Sequence, residues 1–377
     1  MKKVVYVVPI LTPYAIARFQ VLAKEMGIDL HVIVEKSRTD ERNGSGGSYQ
    51  EIKDCHTYLL ESREHGYQLR NTKSGYAINE SRKYSFGLRA LVRKIDPDIV
   101  IVCNSTQILF LTGPRTYKLG VVVEDTPRAE EGRKPLNRWV KRMLMGTADF
   151  YIPFSEDAVE FLKRNGINHP FIRSTWSMDV DFFSDLKEEA KEEKRRELGM
   201  DERRSYIIVA GLIPRKGLRQ FLQGWNAMPD TFHQNNQVFI IGEGILREEL
   251  TEFVRREKLE NVHFLGGKPY KEVSHCLQCG DVFVLPTLED LCSLSVLEAM
   301  AAKLPVLTTI YNGARQFVEE GRNGFIFDSE NIDSITDTLS KMEAADLKAM
   351  SAASAELIQK YTNERVMGQL AKDLLAM

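Results

Sequence analysis

Arg215 and Lys216 stand side by side in GLIPRKG, residues 211–217, on a short loop with Gly211 and Gly217 at its ends, directly after a strand-like run. Glycine lets a backbone come close to a ligand. A fixed cation in such a place can neutralise charge building on a diphosphate leaving group without a metal, although paired basic residues on a turn are often only solvated. A second group lies in PTLEDLCSLSVLEAMAAKLPVL, Pro286 to Leu307. Here a strand ends at Leu285, an acidic loop follows, and a helix begins near Ser293, where free backbone N–H groups favour an anion. Asp290 sits on that loop and Glu298 about one and a half turns into the helix. A carboxylate so placed can accept hydrogen bonds from both ribose hydroxyls; equally, Asp290 could cap the helix while Glu298 faces solvent. A third group is IIGEGILREEL, where Gly242 and Gly244 shape a tight strand-to-helix passage. It is a lone GxG, not the full GxGxxG dinucleotide fingerprint.

These loops need strands to carry them, and the chain supplies two series. Valine-rich Lys3–Ile10 reads as a buried strand, residues 14–26 as a helix whose Ile16, Phe19, Leu22 and Ala23 share a face, and Leu30–Glu35 as the next strand. Strand, helix, strand begins a parallel sheet with crossover helices. Ile99–Cys103, Leu119–Val123 and Phe150–Pro153 continue it. The second series runs through strands at Tyr206–Ala210, Val238–Ile241, Val262–Leu265, Val282–Leu285 and Val306–Thr308, with helices at Gly217–Trp225, Ile245–Glu257 and Ser293–Ala302. Between the two lies DLKEEAKEEKRRELGMDERR, dense in charge with little to bury. The expected division is therefore residues 1–185, a charged linker at 186–203, residues 204–360, and a helical segment at 361–377. Open parallel sheets bind ligands at the carboxyl ends of their strands, so two such domains can hold two substrates. A dehydrogenase or a periplasmic-type binding protein would share this organisation. VVPILTPYAIARF carries no dinucleotide glycines after the first strand, which argues against the dehydrogenase.

The bulk properties fit. At 377 residues two domains are favoured over one large core, and a formal net charge of -2 gives no general pull toward nucleic acid. Five cysteines (Cys55, Cys103, Cys276, Cys279 and Cys292) are too few for a disulfide scaffold and read as reduced cytosolic thiols. Cys276 and Cys279 form a lone CxxC that reads as helix-end packing rather than as a metal site. The NGSGGS run, Asn43 to Ser48, lacks the lysine and hydroxyl of a phosphate-binding P-loop. MKKVVYVVPIL has no cleavage site and reads as a first strand, and no apolar stretch approaches the roughly 20 residues of a membrane span.

In their order, IVAGLIPRKG, FIIGEGILREEL, VHFLGG, DVFVLPTLEDLCSLSVLEAMAAKLPVL and GRNGFIF resemble the nucleotide-sugar domain of the large retaining family of GT-B glycosyltransferases, family 4-like, which contains many bacterial polysaccharide and glycolipid enzymes. FSEDAVEFLKRNGI followed by TWSMDVDFF resembles the exit from the first domain of that family. The resemblance implies an α/β GT-B fold, two Rossmann-like doubly wound domains facing across a cleft. It implies transfer of a sugar from a nucleotide diphosphate sugar to a hydroxyl acceptor, with front-face attack and retention, and with no metal or cofactor. Carbohydrate and lipid-linked acceptors both fit.

Residue by residue, the resemblance makes Lys216 the cation on the donor diphosphate and Glu298 the second acid of the paired-acid motif that holds the ribose. Asp290 takes the place of the first acid, with Glu289 out of register by one. The backbone from Cys292 through Ser293 to Leu294 would meet sugar or phosphate. Two positions depart from the pattern. Gly211 stands where the family commonly has arginine, and Glu124, in VVVEDTPRAEEG, stands where many members have histidine at a strand end. Glu124 could orient an acceptor hydroxyl or take its proton, or be a strand-end acid in a polar loop. These departures would also suit a catalytically inactive sugar-nucleotide-binding module. Finally, GRKPLNRWVKRMLMG, Gly132 to Gly146, makes a helix with Leu136, Trp139, Val140 and Met143 on one side and Arg138, Lys141 and Arg142 flanking. Such a strip suits the inner face of an anionic membrane, or packing of Trp139 on the sheet.

Overall fold

The computed structural model describes residues 1–36, 52–70, 77–131 and 133–377. The Asn43–Ser48 run and Gly132 lie outside the described residues. The first sheet contains β1 (Lys2–Val8), β2 (Ile28–Lys36), β3 (His56–Glu61), β6 (Ile99–Val102), β7 (Lys118–Val123) and β8 (Phe150–Pro153). Its order is β3-β2-β1-β6-β7-β8, every pairing parallel. Both faces are covered, so successive residues of one strand serve different cores. Val4, Tyr6 and Val8 pack on one side with Phe19, Leu22, Ile101 and Ile152, while Val5 and Val7 pack on the other with Val92, Val100, Val102 and Phe161. This explains the unbroken apolar runs. The helix Pro13–Lys24 is launched by Thr12, whose side chain accepts from Ala15 N–H, and by Pro13 at the first helical position. An antiparallel hairpin, β4 (Arg63–Arg70) with β5 (Ala77–Tyr84), follows β3.

The second sheet repeats the order. It contains β9 (Arg204–Val209), β10 (Asn236–Ile241), β11 (Val262–Gly266), β12 (Val282–Leu285), β13 (Val306–Thr309) and β14 (Gly324–Phe327), arranged β11-β10-β9-β12-β13-β14 and all parallel. In each sheet the strand order reverses beside the first strand, the arrangement of doubly wound folds.

The chain divides into a first unit of residues 1–177 with 363–377 and a second of residues 178–362. This differs from the expected division at three places, the first being residues 178–185, which fall in the second unit. The charged stretch 186–203 is no linker but part of the second unit. Its helix Glu188–Glu197 is held by a Lys194–Glu272 ion pair at 2.9 Å and by Arg195 Nη1 donating to the Cys279 carbonyl. The final helix, Asn363–Ala376, belongs to the first unit, because Met367, Leu370, Ala371 and Leu374 enter the same core as Phe19 and Leu22. β14, which ends the GRNGFIF segment, and the helices Ile332–Glu343 and Leu347–Ile358, which no motif marks, complete the second unit.

Candidate functional site

In the second unit, four loops meet at the carboxyl ends of β9, β10, β12 and β13. The Pro214–Lys216 turn ends at Gly217, whose φ is +68° and whose added Cβ would lie 2.0 Å from the Pro286 carbonyl oxygen. The loop after β9 is thereby pressed onto the loop after β12. Leu288 N–H and Thr287 Oγ1 both donate to the Arg215 carbonyl, at 2.9 and 3.0 Å. Gly242 (φ +146°) brings the β10 loop against Ala210, where a Cβ would meet the carbonyl oxygen at 1.9 Å. Only glycine fits these two close approaches. The β13 loop closes the ring: Asp290 N–H donates to the Tyr311 carbonyl, Gly313 N–H to the Asp290 carbonyl, and Ser293 N–H to Asn312 Oδ1 at 3.3 Å. Gly244 is held as closely, against Leu212, but a Cβ at Gly211 would meet only the Glu243 carbonyl at 3.8 Å. Gly211 is thus not a steric requirement of the loop.

This ring sets out the charged groups. Lys216 Nζ contacts Asp290 Oδ2, and Arg215 Nη1 lies 3.5 Å from the same oxygen while donating to the Glu289 carbonyl at 2.8 Å. Asp290 is therefore an anchor for both cations. The helix Leu294–Ala301 starts beside it with Ser293 at its cap and no side-chain cap bond. Asp290 as helix cap is corrected by this finding. Glu298 does not face solvent: it is 7% exposed and its Oε1 accepts from Tyr270 Oη at 3.1 Å. Burial pushes its carboxyl up to about 7, against the opposing pull of the tyrosine bond. Arg215, Lys216, Asp290 and the start of the helix come together, whereas Glu298 has its own partner one turn along and Glu124 belongs to the other unit. The CxxC cysteines are wholly buried, and burial pushes both thiols up to about 11, away from the thiolate form a metal needs. A more open recess of about 1090 Å³, lined by Glu188, Lys191, Arg195 and Asp281, lies at the opposite ends of these strands and carries none of this chemistry.

The first unit places Glu124 at the matching point of its own sheet. A cavity of about 310 Å³ opens at the ends of β1, β6 and β7, walled by Tyr6, Tyr14, Phe154 and Trp176, with Glu124 and Arg18 on its lining. Arg18 is 8% exposed; its guanidinium carbon lies 5.1 Å from the Phe154 ring and 5.0 Å from the Trp176 ring. Burial lowers its pKa, and Glu124 is among the groups that support its charge. Its Nε and the Trp176 indole nitrogen are buried without a hydrogen-bond partner among the described residues. Sequence reasoning missed Arg18. The available signal was its place four residues before Leu22, a basic residue on the apolar face of its helix. Buried Glu35, also missed, is satisfied by Ser85 and Gln107 and belongs to the framework.

The helix Pro135–Met145 leaves its apolar strip at the surface: Leu136, Trp139, Val140 and Met143 are all exposed, Trp139 by 58%. Packing of Trp139 on the sheet is thereby ruled out. Lys141, expected to flank the strip, is turned inward, with Nζ 2.6 Å from both Asp125 Oδ1 and Glu130 Oε1. No helix among the described residues is long and apolar enough to cross a membrane.

Comparison with known proteins agrees with this geometry. Residues 190–359 match the family described as Glycosyl transferases group 1. The chain is similar to the lipopolysaccharide glucosyltransferase WaaG of Escherichia coli (strain K12), at 24% identity over 145 residues, 38% of each chain. Relatives from Methanocaldococcus jannaschii and Corynebacterium urealyticum, 28% and 26% identical, likewise share less than half their own length with it, at 43% and 48%. Solved structures resemble the whole chain. Sucrose-phosphate synthase from Thermosynechococcus elongatus matches with a TM-score of 0.76 and 14% identity, and Anabaena Alr3699/HepE, in complex with UDP and glucose, with 0.74 and 15%, each covering 100% of both chains. The chain has the GT-B fold and is related to bacterial and archaeal glycosyltransferases.

Proposed function

We propose that this protein is a glycosyltransferase that moves a sugar from a nucleotide diphosphate sugar to a hydroxyl acceptor, with retention of anomeric configuration and without a metal. The observation that carries this reading is the glycine-locked ring of loops that sets Lys216, Arg215 and the Leu294–Ala301 helix start at the switch point of the second sheet. Cations and free N–H groups in one place are what a departing diphosphate requires. Lys216 exchanges Asp290 for the diphosphate, and Asp290 retains Arg215. Glu298, with Tyr270 behind it, accepts the ribose hydroxyls. Gly242 and Gly244 hold the loop that adjoins them, while Cys292 and Leu294 offer backbone to the sugar or phosphate.

In the first unit, Glu124 orients the acceptor hydroxyl in the aromatic cavity. The family histidine is absent, so the departing diphosphate receives the proton. Polysaccharide or glycoconjugate synthesis supplies acceptors of this kind. The exposed strip on Pro135–Met145, beside Arg138 and Arg142, supports a reading in which the protein works at an anionic membrane surface on a lipid-linked acceptor. The test is a panel of nucleotide sugars with candidate acceptors, followed by release of free nucleoside diphosphate and NMR of the first product. Nucleotide binding without transfer to any acceptor would favour an inactive binding module. Inversion at the donor carbon would overturn the mechanism.

A further inference from the structure

Away from both strand-end sites, three side chains converge where the strands of the first sheet begin. Asp29 and His31 lie two residues apart near the start of β2, on one face, and His56 opens β3 as the register partner of His31. His31 Nε2 is 3.3 Å from Asp29 Oδ2 and His56 Nε2 is 3.6 Å from Asp29 Oδ1. The two imidazoles stack with centroids 4.6 Å apart, and one ligand atom from each residue lies within 4.8 Å of the others. Zinc–nitrogen and zinc–oxygen bonds of about 2.0–2.2 Å put tetrahedral ligand atoms roughly 3.3–3.5 Å apart. The His31–carboxylate distance falls in this range; that of His56, to the other carboxylate oxygen, is slightly longer, and its ring, 64% exposed, has room to close the remainder.

An independent observation points the same way. His31 is 7% exposed, and its Nε2 is buried without a hydrogen-bond partner even though the carboxylate is near. Its other nitrogen, Nδ1, meets Tyr58 Oη at 3.0 Å. A ligating histidine characteristically has its second nitrogen hydrogen-bonded, which fixes the ring and leaves the first aimed at the metal. Two imidazoles and one carboxylate suit zinc over magnesium or calcium, which prefer oxygen ligands.

We infer that Asp29, His31 and His56 form a zinc site, completed by solvent, that clips the edge strand β3 to β2. The site lies at the opposite strand ends from Glu124, so its role is structural and its occupancy leaves the sugar-transfer machinery unchanged. It is tested on the full chain, stripped with a chelator and titrated with zinc chloride, with zinc per chain and thermal midpoint as readouts. One zinc per chain in the micromolar range or tighter, with a rise in midpoint, is the expected result. His56→Ala and the near-isosteric Asp29→Asn, each checked for folding by circular dichroism, bind at least tenfold more weakly and lose the rise. Tyr58→Phe loses about tenfold by releasing the ring. The inference is overturned if the unaltered chain takes up no zinc, if both ligand variants bind it as well as the unaltered chain, or if the uptake disappears instead in Cys276→Ser.

Discussion

The two units share one strand order and place charged groups at the same switch point, beside β1 and β6 in the first and beside β9 and β12 in the second, but they build those places by different means. The second uses backbone. Gly217, Gly242 and Gly313 let neighbouring loops touch, and main-chain hydrogen bonds hold the ring before any side chain acts. The first uses side chains from separate elements: Tyr6 from β1, Arg18 from the helix after it, Glu124 from the end of β7, and Phe154 and Trp176 from beyond β8. A backbone site tolerates little change along one segment and so leaves contiguous motifs. A side-chain site is scattered, and a cavity of this kind can be refitted residue by residue. A conserved donor chemistry on one unit and a variable acceptor on the other would call for that contrast.

The sharpest way to break the comparison is Lys216→Ala. If the backbone ring is a platform for this cation, the variant stays folded, because Arg215 remains 3.5 Å from Asp290 to balance it. Turnover falls by about 3–4 kcal/mol of transition-state stabilisation, roughly 150- to 900-fold. Steady-state kinetics beside a melting curve reads both; unchanged turnover would remove Lys216 from the donor site.

The same contrast governs what was legible in the residues alone. Most strands and the helices carrying GLIPRKG and LEDLCSLSVLEAM were readable, because period, glycine and helix-start signals are local. Glu298 was readable as an acid but not as a buried one, since Tyr270 reaches it from another helix 28 residues away. Arg18 and the cavity around it were not readable, because its partners Phe154 and Trp176 lie far along the chain. The return of Asn363–Ala376 to the first core was hidden for the same reason: an amphipathic helix does not say which sheet it covers.

Glu298→Gln sharpens the donor side and comes next in size. The folded-state pKa of about 7 lies above the ordinary glutamate value of 4.5, so the folded protein binds more protons between these limits. Stability is therefore lost as pH rises through that window, by up to about 3 kcal/mol for this one group. The glutamine variant should gain thermal midpoint at pH 8 and gain little at pH 4.5. Nucleotide affinity should fall by about 2 kcal/mol, the worth of hydrogen bonds to a charged acceptor, and the affinity of the unaltered protein should rise with pH through about 7. Calorimetric titrations at several pH values check this. A variant that binds nucleotide normally would free Glu298 from that role.

A smaller effect is expected from Glu124→Gln. If the proton goes to the departing diphosphate and Glu124 only orients the acceptor, the loss is about 1.5 kcal/mol, or roughly tenfold in kcat/KM for the acceptor. Nucleotide affinity should not move. A change in nucleotide affinity, with acceptor kinetics intact, would assign Glu124 to the donor and end the division of labour between the units.

The least of these effects concerns the membrane, and it rests on the first unit alone. The strip of Leu136, Trp139, Val140 and Met143 is exposed, while Arg138 and Arg142 stay at the surface beside it. Lys141 is spent inside on Asp125, next to Glu124, and on Glu130, so the helix bearing the strip is tied by an ion pair to the strand end that carries Glu124. Shallow insertion of the strip would then hold that acid at a set depth relative to the lipid surface. Each surface cation should contribute about 1 kcal/mol on anionic vesicles, so Arg138→Gln should weaken partitioning roughly fivefold and leave neutral vesicles unaffected. Trp139→Ser should weaken both, because its contribution is burial of apolar surface rather than charge. Sedimentation with phosphatidylserine-containing and phosphatidylcholine vesicles across a salt series separates the two contributions. A folded protein that ignores anionic vesicles at low salt would leave the strip without a lipid role and return the acceptor to solution.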